Sequence, residues 1–219
     1  MVAGVLHHLG VDMGPSLPPD VYNPLGYFED ARFVAIHRAW SRRLEPSRER
    51  RRLRLPPWDP APGPVDLARY VRLVRACERR PCWGVKDPEL CYYAGRFAAM
   101  ARRPFRVIAT ARDPVAVAAS LSRMWRYFTP TDSITVAEDY ARRQTQTLAD
   151  LVDHGNPPAL LVDFDAAIAD PEDTVRRIAA HVDRPVTAAA IAFITPDLRH
   201  YPMPVAPAAR DQGLTTLTT

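Results

Sequence analysis

The 219-residue chain is poor in three things: lysine, cysteine and long apolar runs. No apolar stretch approaches the roughly 20 residues that a membrane span requires. The N-terminus also lacks the basic region, long apolar core and cleavage site of a signal peptide. Cytoplasmic location is therefore the expectation. The cysteines, Cys77, Cys82 and Cys91, are odd in number and not at metal-ligand spacing, so no metal site is expected. Cys82 lies in an expected strand and reads as a buried, reduced thiol. Of 29 basic residues only Lys86 is lysine; the other 28 are arginine. Lysine is a compact, mobile point charge that the planar guanidinium does not reproduce. The surroundings of Lys86 must decide whether it matters.

What is present suits one globular domain over residues 1–219, with 47% apolar residues and a net charge of +4. The chain is organised around Arg106–Leu121, RVIATARDPVAVAASL. Phe105–Thr110 suits a strand buried on both faces. Asp113 then takes an N-cap position and Pro114 the first helical position, where its missing N–H costs nothing. Arg112 falls in the turn and Ser120 two turns into the helix. An arginine and a hydroxyl at a strand–helix junction make an anion site conceivable; a surface arginine on a buried βα unit is the plainer reading.

Elsewhere the pattern predicts a helix over Met1–Leu9 stopped by Gly10, and a Pro- and Gly-rich loop over Gly14–Glu29. A helix follows from Asp30 with Phe33, Ile36, His37 and Trp40 on one face. Residues 44–64 form an Arg- and Pro-rich insert, a solvated helix end and loop rather than a nucleic-acid site, because Glu45 and Glu49 dilute its charge. Helix is expected over Val65–Arg80, strand over Cys82–Lys86, helix over Glu89–Arg102 and helix over Ile134–His154. A third strand is expected at Ala159–Phe164, a helix capped by Asp170 with Pro171 first, and a short helix near Thr187–Ile194. Residues 201–219 read as an irregular tail. Strands alternating with helices of this length predict an α/β fold, a mainly parallel sheet with helices on both faces.

Six stretches, in order, resemble the sulfotransferase family that uses 3′-phosphoadenosine 5′-phosphosulfate (PAPS), especially its bacterial members. They are LHHLGVDMG (Leu6–Gly14), NPLGYFED (Asn23–Asp30), WGVKDPEL (Trp83–Leu90), RVIATARDPVAVAASL, LLVDFDAAIADPEDTVRRIAAHV (Leu160–Val182) and, more weakly, PDLRH (Pro196–His200). The resemblance implies a three-layer fold related to the nucleotide kinases. It also implies that Arg112 and Ser120 bind the 3′-phosphate of the nucleotide. Asp113 and Ser120 are seven residues apart, hence on one helical face, with Ser120 about 10 Å along the axis. Lys86 is similar in position to the lysine of the KTH motif of cytosolic sulfotransferases, whose histidine deprotonates the acceptor. Here that histidine position is Pro88, so the base does not carry over. Asp87 and Glu29 are the candidates for it, with His37 an outsider; helix capping and N-terminal charge account for Glu29 and Asp30 equally well.

The family opens with a strand and a phosphate-cradling loop of the RSGTS or KSGTT type, and MVAGVLHHLGVDMG resembles the helix after it. The expectation is that the chain starts at an internal methionine and lacks the first strand, with a degenerate relative as the rival reading. If so, the codons immediately upstream encode an apolar strand and a Gly/Ser/Thr-rich loop in frame. The resemblance thus implies sulfuryl transfer from PAPS to a hydroxyl of a small molecule, sugar or lipid. A non-catalytic nucleotide- or partner-binding relative is the alternative, and a nucleotide kinase the third.

Overall fold

The computed structural model describes residues 1–20, 23–43, 64–88, 90, 91, 94, 97, 100–128, 134–153 and 158–198. Nearly all of the Arg- and Pro-rich insert, the expected tail, and Tyr22, Trp58, Tyr92 and Tyr93 lie outside them.

Helix α1 spans Val2–His8 and ends as its sequence predicts. Gly10 adopts φ +82°, while Gly10 N–H donates to His7 O (3.0 Å) and Val11 N–H to Leu6 O (3.0 Å). This paired closure satisfies two orphan carbonyls and reverses the chain. Helix α2, Ala31–Arg43, starts behind Asp30, whose Oδ1 accepts from the Arg32 N–H (3.0 Å). Helix α3 spans Pro64–Cys77. Buried Glu78 follows it and accepts the N–H groups of Arg102 (2.6 Å) and Arg103 (3.1 Å), tying the end of α3 to that later segment.

Strand β1, Val107–Ala111, pairs in parallel with β2, Ala159–Asp163, from Val107 opposite Ala159 to Ala111 opposite Asp163. Helices α4, Pro114–Phe128, and α5, Ile134–Asp153, make the crossover that a parallel pair needs. Asp113 caps α4 through Ala116 N–H (2.9 Å). Beyond β2 come α6, Phe164–Ala169, α7, Pro171–His181, and α8, Ala188–Phe193. Asp163, Asp170 and Thr187 cap them with side-chain oxygens, Asp170 as predicted.

Four expectations need correction. β1 starts two residues later and ends one residue later than predicted, and it is not buried on both faces: Ala109 is buried, Thr110 exposed. Ile108, Leu160 and Val162 point into a core shared with α1, α7 and α8, whereas Leu161 on the opposite face is 44% exposed. Phe164 begins a helix instead of ending β2, because Asp163 caps there. Cys82–Lys86 is extended but bridges at Trp83 alone, in parallel with Asp12. Its partner segment turns at Gly10 and at Gly14 (φ +77°), which leaves little length to pair. Among the described residues the sheet therefore has two strands, not three. Finally, Cys77 is the buried thiol, and burial raises its pKa, while Cys82 is half-buried.

The result is an α/β protein with a small parallel sheet and two main cores. One joins Val5, Leu9, Val162, Val175 and Ile178 around β2. The other joins Phe33, Ile36, Tyr70, Val74 and Phe97, with Trp83, Val85 and Phe105 against it.

Candidate functional site

Two clusters contain the residues singled out from the sequence. The first lies at the end of the Trp83–Lys86 segment. The Lys86 ammonium is in direct contact with the Glu29 carboxylate, a pairing across 57 residues. The Glu29 side chain is 8% exposed and that of Lys86 37%, so the ammonium keeps a route to solvent. Asp87 turns the other way. Its Oδ2 lies 2.7 Å from His37 Nδ1, and His37 Nε2 lies 3.1 Å from the Tyr70 hydroxyl.

Glu29 and Asp30, neighbours in sequence, have separate work. Asp30 caps α2 and pairs with the Arg32 guanidinium (2.5 Å), while Glu29 faces Lys86. Phe28 just before them is held at φ +53°, a conformation that costs a residue with a Cβ about 1–2 kcal/mol. Its ring is secured by His7 (5.3 Å between centroids) and Phe193 (5.7 Å). Phe28 also lines an open cleft of about 600 Å³, together with His7, Asp12, Ser16, Leu17 and Leu25.

The second cluster lies at the C-terminal end of the two-stranded sheet, where open parallel sheets place ligands. The register that sets Ala111 opposite Asp163 brings Arg112 beside Phe164 and Asp165. The guanidinium carbon sits 4.6 Å over the Phe164 ring, and Nε is 3.6 Å from Asp165 Oδ2. That distance gives charge attraction without a hydrogen bond. The Arg112 side chain is 14% exposed, and its buried Nε and Nη2 have no hydrogen-bond partner among the described residues. Ser120 is half-buried on α4. Among the described residues the side-chain partners of Arg112 are Phe164 and Asp165, not Ser120.

Glu29 and Lys86 thus come together, Asp87 is directed instead to His37, and Arg112 stands at the sheet edge. Tyr70, Phe164 and Asp165 are not singled out by the sequence pattern, which puts Tyr70 inside an expected helix and Phe164 at the end of an expected strand. The capping pattern at Asp163 was the available signal for the last two. Among the described residues no group of three or more His, Cys, Asp or Glu is placed to hold a metal ion, and no helix is long and apolar enough to cross a membrane.

These features define an α/β protein with, at the C-terminal edge of its sheet, an arginine whose buried Nε and Nη2 have no hydrogen bond among the described residues. Residues 65–188, more than half of the chain, match the model of the sulfotransferase family. The chain belongs to that family, and the matched region includes Lys86, Asp87, Arg112 and Ser120 but not Glu29 or His37. No curated protein and no solved structure matches it. Membership makes it a transferase of the sulfuryl-transfer type.

Proposed function

We propose that this protein transfers the sulfuryl group of PAPS to a hydroxyl of a small molecule, sugar or lipid, working in the cytoplasm on a kinase-like layout. The observation that carries the reading is the pair of buried Arg112 nitrogens without hydrogen-bond partners. Each buried donor left unmade costs about 1–3 kcal/mol, more for a charged group. Two oxygens of a phosphate fill both with charge-assisted bonds. Arg112 is accordingly the 3′-phosphate clamp, stacked on Phe164, with Ser120 contributing its hydroxyl from α4.

At the other end Lys86 stabilises the charge that develops as the sulfur–oxygen bond to the 5′-phosphate breaks and the acceptor oxygen bonds to sulfur. The acceptor hydroxyl must lose its proton to a base in that step. Glu29 is well placed for it, since it touches Lys86 and adjoins Phe28, which lines the cleft where the acceptor enters. Asp87, the other candidate, is engaged by His37.

The test is calorimetry with the desulfated nucleotide, 3′-phosphoadenosine 5′-phosphate. Arg112→Ala is expected to weaken its binding about 10- to 100-fold, one to a few kcal/mol, as for a charged hydrogen bond. Unchanged affinity overturns the clamp. Binding without transfer to any hydroxyl favours the non-catalytic relative, and preference for ATP favours a kinase.

A further inference from the structure

We infer that Tyr70, His37 and Asp87 form a buried relay that positions Lys86, so that His37 and Tyr70 are positioning residues for the transfer site. The inference rests on the role proposed above for Lys86. His37 is completely buried and the Asp87 side chain is 6% exposed, so their contact at 2.7 Å is shielded from water. A carboxylate only accepts, so His37 Nδ1–H donates to Asp87, and Nε2 shares a hydrogen bond with the Tyr70 hydroxyl. The relay joins α3, α2 and the segment that bears Lys86.

That segment needs such an anchor. Its bridge to Asp12 is at Trp83, and from Gly84 to Lys86 no sheet ladder continues among the described residues. Lys86 and Asp87 are instead held by two adjoining parts of one element. Glu29, just before α2, takes the Lys86 ammonium, and His37, two turns into α2, takes the Asp87 carboxylate. Tyr70 is itself wedged edge-on against Phe33 (5.4 Å between centroids) and Phe97 (6.3 Å), which keeps its hydroxyl aimed at His37. Misplacing a reacting group by about 1 Å costs on the order of 100-fold in rate. An anchor one residue from the critical cation therefore acts on turnover.

Lys86 is the single lysine of the chain, which makes its amine a specific probe. The experiment compares Tyr70→Phe, which keeps the ring, and His37→Gln with the wild type. Val74→Ala serves as a packing control in the same core. Acetic-anhydride labelling of Lys86, followed by mass spectrometry, reads its accessibility without any need for activity. Labelling is expected to rise several-fold in Tyr70→Phe and His37→Gln and to stay at the wild-type rate in Val74→Ala. Turnover with PAPS is expected to fall about 10-fold or more in both relay variants, with unchanged KM for PAPS. Unchanged labelling in both relay variants, or an equal rise in the control, overturns the relay even if the wild type transfers sulfate. A wild type without transfer whose Lys86 labelling responds as stated upholds the anchor and removes the catalytic reading instead.

Discussion

The two ends of the site are built oppositely. Around Lys86 the polar groups are paired within the protein, Lys86 with Glu29 and His37 with Asp87. Around Arg112 the acidic partner, Asp165, comes from an equally remote stretch, and among the described residues the buried Nε and Nη2 have no hydrogen bond. A hydrogen-bonded cluster holds geometry, while buried guanidinium donors without hydrogen bonds hold affinity in reserve for an anion. That contrast supports the proposal of catalytic placement at the first end and ligand capture at the second.

The contrast breaks most visibly at Lys86. Lys86→Ala is expected to lower sulfuryl transfer by about 10²- to 10³-fold, the usual consequence of removing a preorganised charge stabiliser. Affinity for 3′-phosphoadenosine 5′-phosphate should stay within twofold of the wild type. An equal loss of both, by initial rates and calorimetry, would merge the two ends into one. Phe164→Leu is a gentler probe of the other end. It keeps apolar volume under Arg112 but removes the ring face, so nucleotide binding should weaken by about 0.5–2 kcal/mol, with turnover at saturation unaltered. An unaltered affinity would leave Phe164 as packing alone.

The smallest effect expected concerns pH. Burial lowers the His181 pKa, the Val107 carbonyl that accepts its Nε2–H (3.0 Å) opposes this, and the Arg106 charge lowers it further. The folded value thus lies below the ordinary 6.5. Below pH 6.5 the unfolded chain binds the proton more readily, so this group's contribution is full above 6.5 and is lost as pH falls through its folded value. Thermal melts from pH 7.5 to 5 should show that decline, and His181→Gln should flatten it. Parallel curves for the two proteins would refute the linkage. The decline belongs to the β1 side of the molecule, where α7 grips the strand, and so separates the two ends again.

Much of this was legible from local chemistry. The helix stop at Gly10, Asp113 with Pro114 and Asp170 with Pro171 each depend on residues within a turn or so of one another, and each falls where the pattern puts it. Lys86 and Arg112 were also identifiable, one by its scarcity and one by its strand–turn–helix setting. What failed depended on neighbours. Whether Cys82–Lys86 becomes a strand is decided by the length of its partner, and two positive-φ glycines shorten that partner. Whether Phe105–Thr110 is covered on both faces is decided by elements far away in the sequence.

The sequence by itself determined most of the helices and several of their caps, because those follow from hydrogen bonds and periodicity within a few residues. Tertiary structure alone decided their company. It matched Lys86 with Glu29 across 57 residues, joined His37 to Asp87 across 50 and to Tyr70 across 33, and set Arg112 over Phe164 by strand register. Such pairs form only when packing repays the entropy of closing long loops, and nothing in a local window records that balance.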